Sequence, residues 1–171
     1  PTAGALRYRT TELSYAQLAG LTASFARALI AAGVARQERI AVYLPKRPET
    51  VVTILGATTA GCVFVPVNPL LKPPQVGHIL RDCAVRVLVT TAQRLAELAD
   101  ELAQCPELRT LVVVDGQLPA PLPGQELIAW ENFLASGAGQ PHRVIDTDMA
   151  AILYTSGSTG KPKGVVLSHR N

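Results

Sequence analysis

The stretch "RIAVYLPKRPETVVTILGATTAGCVFVPVNP", Arg39 to Pro69, reads as strand, helix and strand in immediate succession. Its opening "RIAVYL" (Arg39–Leu44) is β-branched and aromatic and is closed by Pro45, which suits a strand. Pro48 fits the first turn of a helix, where a missing N–H costs nothing, and that helix is expected to run to about Gly61. "VFVPV" (Val63–Val67) is a second apolar strand, and Pro66 inside it calls for an edge, a bulge or a strand end. The window Thr50–Leu71 carries no charge over a length that could span a bilayer. Gly56, Gly61, Pro66, Asn68 and Pro69 interrupt it, so it reads as a buried helix and a buried strand, with no transmembrane segment expected.

The same alternation continues on both sides. Upstream, "LSYAQL" (Leu13–Leu18) places Ser14 to cap, Gln17 to reach back, and Leu13 with Leu18 as a staple, so a helix starts at Tyr15. Leu18, Leu21, Phe25, Ala28 and Leu29 recur at helical spacing, and Gly33 supplies a left-handed stop. Downstream, a helix over Pro73–Cys83 precedes the strand "VRVLVT" (Val85–Thr90). A further helix over Ala92–Ala103 precedes "TLVVV" (Thr110–Val114), whose unbroken apolar character suits a strand covered on both faces. Residues 115–127, rich in proline and glycine, read as a surface connection. "IAWENFLAS" (Ile128–Ser136) reads as a short helix, with Trp130 and Phe133 as packing residues, and a last strand is expected over Met149–Tyr154. Parallel neighbours need helical crossovers, so the fold class is α/β with alternating strands and helices and a mainly parallel sheet.

Composition narrows the function classes. The 171 residues suffice for one ordinary domain, and 48% apolar against 17% charged residues is a globular balance. A formal charge of +3 without basic runs or interleaved aromatics argues against a nucleic-acid groove, so an anionic partner should be met locally. Cys62, Cys83 and Cys105 lack metal-ligand spacing and read as buried thiols in a reducing cytosol. His78, His142 and His169 are scattered, which argues against zinc. Lys46, Arg47 and Lys72 read as solvated charges, and Asp146 and Asp148 as turn residues. The N-terminus lacks the order of a signal peptide, begins at Pro1 without an initiator methionine, and the chain stops soon after a motif, so a piece of a longer protein is expected.

That motif is Thr155, Ser156, Gly157, Ser158, Thr159, Gly160, Lys161, Pro162, Lys163 and Gly164, between the apolar runs "AAILY" and "GVVLS". The glycines permit positive φ and close backbone approach to a ligand, and successive N–H groups in such turns converge on an anion. Hydroxyls at 155, 156, 158 and 159 add donors, and Lys161 and Lys163 add charge with no acid between them. The composition points to phosphate. It is not the G-x-x-x-x-G-K-[ST] loop, because Thr155 stands at the first glycine position and Pro162 follows the lysine. A plain Gly/Ser linker does not explain two lysines and a proline between apolar strands.

"YTSGSTGKPKGV" (Tyr154–Val165) resembles the phosphate-binding signature of the AMP-forming ligases: acyl-CoA synthetases, peptide-synthetase adenylation domains and firefly luciferases. "LSYAQL" and "AGCVFVPVNP" (Ala60–Pro69) resemble two earlier core motifs of that group in order and spacing, so the resemblance covers nearly the whole chain. "VYLPKRPETVV" and "PVNPLLKPPQVGHILRDC" are similar to bacterial acyl-CoA ligases.

The resemblance implies the N-terminal part of the large domain of such a ligase, one incomplete domain over residues 1–171. It implies a carboxylic acid, Mg-ATP and coenzyme A as partners, with Mg2+ accompanying the nucleotide, and a cytoplasmic setting in acyl or fatty-acid metabolism. Thr155, Ser156, Gly157, Ser158, Thr159, Gly160 and Lys161 would wrap the β and γ phosphates, Lys163 would add charge near the leaving pyrophosphate, and Gly164 would complete the cofactor-binding set. No catalytic acid or base and no metal ligand is assigned. The family's ribose-binding aspartate and C-terminal lysine have no counterpart here, so the 171 residues alone are expected to be inactive. Two alternatives stay open: an adenylation domain of a peptide or siderophore synthetase that passes its acyl group to a carrier protein, and a non-catalytic module that binds a phosphorylated partner.

Overall fold

A computed structural model describes residues 1–120, 122–155 and 162–171. The order of elements is β1 (Gly4–Tyr8), β2 (Thr11–Ser14), α1 (Tyr15–Ala31), β3 (Arg39–Val42), α2 (Pro48–Ala60), β4 (Val63–Pro66), α3 (Pro73–Asp82), β5 (Val85–Thr90), α4 (Ala92–Leu102), β6 (Thr110–Val113), β7 (Glu126–Ala129), α5 (Trp130–Ala135), β8 (Met149–Thr155) and β9 (Lys163–Ser168). β1 and β2 form a small antiparallel hairpin. The other strands form one seven-stranded sheet in the order β7-β6-β5-β3-β4-β8-β9. It is parallel throughout except at its end, where β9 runs antiparallel to β8.

Local chemistry sets the first helix. Ser14 accepts from the Gln17 N–H at 3.3 Å while Gln17 Oε1 accepts from the Ser14 N–H at 2.8 Å, a reciprocal capping box. At the other end Gly33 takes φ +72°, and Gly61 closes α2 at φ +78°. Pro66 is the last residue of β4, a strand with neighbours on both sides, so the proline marks a strand end and not an edge.

The core divides at the sheet. On one face Phe25, Ala28 and Leu29 of α1, Val52 and Ala57 of α2, and Trp130 and Phe133 of α5 pack on Ile40, Val42, Val87, Val89 and Val112. On the other face Ile79 and Leu80 of α3 and Leu95, Leu98 and Leu102 of α4 pack on Ala41, Tyr43, Val65, Leu88, Leu111 and Val113. Successive strand residues therefore serve opposite faces, which is why these strands are apolar without alternation. Phe25 anchors the first face, its ring 5.4 Å from Trp130 and 5.3 Å from Phe133.

Two expectations need correction. Glu126–Ala129 is not part of a connection followed by a helix from Ile128; it is the edge strand β7, parallel to β6, and the helix begins only at Trp130. Gly4–Ser14 form the β1–β2 hairpin, which the sequence reading passed over. Among the described residues no helix is long and apolar enough to cross a membrane.

Candidate functional site

The β8–β9 hairpin carries the motif. Its register sets Thr155 opposite Lys163 and Tyr154 opposite Gly164. Thr155 and Lys163 are both exposed, so a hydroxyl and an ammonium flank the connection between the two strands. The expected ligands Ser156, Gly157, Ser158, Thr159, Gly160 and Lys161 lie outside the described residues. Gly164 stands in extended strand, and what it lacks is a clash: a Cβ there would sit 2.8 Å from Ile152 Cγ2 and 3.2 Å from Tyr154 Cζ. No carboxylate occurs in either strand. That donor set suits phosphate oxygens and not a divalent cation.

Beside the hairpin, α3 meets β8 at Tyr154 and the chain just ahead of β9 at Pro162. Tyr154 donates its hydroxyl proton to Asp82 Oδ2, and Cys83 Sγ lies 3.3 Å from the same phenol oxygen. Burial, reinforced by the Asp82 hydrogen bond, pushes the Tyr154 phenol up, so it remains a donor. Burial likewise raises the Cys83 thiol. His78 Nε2 lies 3.4 Å from the Pro162 carbonyl oxygen, and its ring meets Tyr154 edge-on at 6.5 Å.

A second feature opens at the carboxyl ends of the parallel strands. A cleft of about 680 Å³ is lined by Tyr43 and Arg47 after β3, Lys72 after β4, Arg94 after β5 and Asp115 after β6, with Arg9 from the N-terminal hairpin. The chain leaves β3 towards β4 on one side and leaves β5 towards β6 on the other, so the adjacent strands β3 and β5 form the switch point where open α/β sheets bind ligands. The solvated reading of Arg47 does not hold. Its guanidinium grips Glu49 at 2.8 and 2.9 Å and Asp115 at 2.6 Å. The Glu49 bond, more than the Asp115 bond and against the cost of burial, holds it above the ordinary arginine range. Arg94 stacks over the Tyr43 ring at 4.1 Å and donates to the Pro69 carbonyl. Arg9, Arg47, Lys72 and Arg94 outnumber Glu97 and Asp115 in the lining, and Arg9, Lys72 and Arg94 have no ion pair among the described residues, so the lining is net cationic. Sequence reading missed this group; the available signal was position, since each cation follows a strand.

The remaining singled-out residues are structural. Asp148 accepts from the Ile145 N–H at 3.0 Å, as a turn residue should, but also pairs with Arg36. The Ile145 N–H, then Arg36, hold its carboxyl below the usual range. Asp146 pairs with Arg170 at 2.6 Å, and His142 Nε2 lies 3.1 Å from the Val34 carbonyl. His169 follows β9 and donates its N–H to the Asp148 carbonyl. The cysteines are free and buried. Among the described residues no group of three or more His, Cys, Asp or Glu gathers to hold a metal.

The chain is similar in sequence and fold to known proteins. The chain is 38% identical over its full length to a fatty acid–[acyl-carrier-protein] ligase of Streptomyces coeruleorubidus, spanning 31% of that protein. It is 35% identical to an L-proline–[L-prolyl-carrier protein] ligase of Streptomyces coelicolor over 92% of the chain and 30% of the relative. It is also 35% identical, over its full length and 31% of the relative, to a feruloyl-CoA synthase of an Amycolatopsis species. The chain thus spans about a third of the length of these relatives. The crystal structure of the anthranilate CoA ligase AuaEII with anthranoyl-AMP superposes with a TM-score of 0.87 at 26% identity, over 98% of this chain and 32% of that one. A sequence profile described as AMP-binding enzyme matches residues 1–171, and the chain belongs to that family.

Proposed function

We propose that residues 1–171 are the N-terminal, incomplete part of the large domain of an AMP-forming acyl-CoA ligase. In the first step a carboxylate oxygen attacks the α-phosphorus of Mg-ATP and the bond to the β-phosphate bridge breaks, releasing pyrophosphate. In the second the thiol of coenzyme A attacks the acyl carbon and AMP leaves. The role of this chain is positioning and charge stabilisation, the two effects that dominate phosphate chemistry. Thr155, Ser156, Gly157, Ser158, Thr159, Gly160 and Lys161 hold the β and γ phosphates, Lys163 offsets charge on the leaving pyrophosphate, and Gly164 completes the cofactor-binding set.

The observation that carries this reading is the hairpin register, which sets exposed Thr155 and Lys163 against each other at the two ends of the phosphate motif. The net cationic cleft beside Arg94 and Lys72 supports a polyanionic thiol donor such as coenzyme A. ATP–pyrophosphate exchange by the complete protein, screened across carboxylic acids, tests the first step. Absence of exchange with every acid class would overturn it. Mass spectrometry of the product with coenzyme A tests the second. Replacing Arg94 by Gln should then raise the KM for coenzyme A and not that for ATP.

A second reading is favoured by the relatives named for carrier proteins. In it the acyl group passes to a carrier-protein thiol, and label appearing on an acyl-carrier protein but never on coenzyme A would select it.

A further inference from the structure

Helix α3 stands beside the hairpin and touches β8 at Tyr154 and the chain at Pro162, just ahead of β9. His78 and Asp82 are four residues apart, so their side chains rise from one face of the helix's C-terminal half. Asp82 takes the Tyr154 hydroxyl proton, one residue before Thr155. His78 faces the Pro162 carbonyl at 3.4 Å, one residue before Lys163.

The protons can be counted. Tyr154 has one hydroxyl hydrogen, and Asp82 takes it. Cys83 is a protonated thiol, so at 3.3 Å it is the donor to the phenol oxygen. The result is a directed chain from thiol to phenol to carboxylate, in which each bond polarises the next. Across the ladder the Tyr154 ring lies over the bare Cα of Gly164, and at its edge it meets the His78 ring. One aromatic ring therefore joins β8, β9 and α3.

We propose that α3 is the mount of the phosphate hairpin, with Asp82 and His78 as positioning residues that act through Tyr154 and Pro162 to fix where Thr155 and Lys163 stand. Neither residue touches the nucleotide. The proposal rests on the reading that this hairpin holds the β and γ phosphates. Bonds to the exposed carboxylate and to a strand-end carbonyl are not needed to bury the core, which lies deeper, at Ile79 and Leu80 of the same helix. Their effect falls instead on the geometry of the hairpin, to which a phosphate site is sensitive.

Calorimetric titration of the complete ligase with Mg-ATP and, separately, with AMP tests this. AMP lacks the β and γ phosphates and reports the rest of the nucleotide site. Asp82→Ala and Tyr154→Phe should each weaken Mg-ATP about tenfold, the scale of one charge-assisted hydrogen bond, with the AMP affinity unchanged. Asp82→Asn keeps an acceptor oxygen and should recover most of the loss. The double variant should be no weaker than either single one, since both remove the same bond. His78→Ala should act in the same direction, and His78→Gln, which keeps a donor, should recover.

Equal weakening of Mg-ATP and AMP, strictly additive losses, or unchanged Mg-ATP affinity would each overturn the mount. Lys163→Ala separates the two ideas. If it weakens Mg-ATP while the Asp82 and His78 variants do not, the mount fails alone; if Lys163→Ala changes nothing, the phosphate reading fails and the mount with it.

Discussion

Gly164 lies opposite Tyr154 in the β8–β9 ladder, and a Cβ at Gly164 would stand 3.2 Å from the phenol ring and 2.8 Å from Ile152 Cγ2. The glycine is required there by the tyrosine, not by a turn. Gly164→Ala must displace the ring or the isoleucine, at a cost of about 1–3 kcal/mol typical of overpacking. A lower thermal unfolding midpoint, with weaker Mg-ATP binding by the complete ligase, is the expected result; an unchanged midpoint would show that the ring moves freely.

The capping box at Ser14 and Gln17 is local and partly exposed, so its removal should be felt by the helix and little else. Ser14→Ala should cost about 1 kcal/mol. Urea unfolding measures it, and Ser14→Asp, which can still cap, should lose much less.

Asp148 provides a pH-dependent contribution. Its carboxyl is held low by the Ile145 N–H and by Arg36, so it binds protons less readily folded than unfolded. The resulting stability is present above the unfolded carboxylate value of about 3.9 and is lost as pH falls through the lowered native value. Asp148→Asn should unfold at lower urea than the parent at pH 7, and the gap should narrow towards pH 3. A gap independent of pH would refute the linkage.

Thiol chemistry should report the core. Burial, with Glu38 adding, pushes Cys62 up to about 12, and burial also raises Cys83 and Cys105. Against an ordinary thiol near 8.5, Cys62 holds about a thousandfold less thiolate at pH 8. A disulfide reagent should therefore react with native protein only at the rate of its opening, and promptly with all three cysteines in urea. Prompt reaction of Cys62 in native buffer would contradict its burial.

What the sequence made legible was local. Ser14 and Gln17 announce a helix start through chemistry within one turn, and Pro48 with Gly61 bracket α2 in the same way. The β1–β2 hairpin escaped because its turn, Arg9–Thr10, has no glycine or asparagine; Arg9 itself takes φ +53°. Strand β7 escaped because "ELIA" runs straight into "WENFLA" with no breaker between them, and only pairing with β6 makes it extended. At the site, the glycine-, hydroxyl- and lysine-rich motif Thr155–Gly164 is contiguous, so it stands out in the sequence. The Arg47–Asp115 pair, the Arg94–Tyr43 stack and the Tyr154–Asp82 bond join residues far apart in the chain, and nothing in either local sequence names its partner.

The placement of β8 bears on how the molecule forms. It enters the sheet beside β4 through the pairing of Phe64 with Ala151, a contact between distant parts of the polypeptide. Such contacts reward the chain only after the loop-closure entropy between them has been overcome, which slows folding. The β8–β9 hairpin thus waits for its support: a ribosome must already have released β4 and α3 before β8 and β9 have a surface to fold onto.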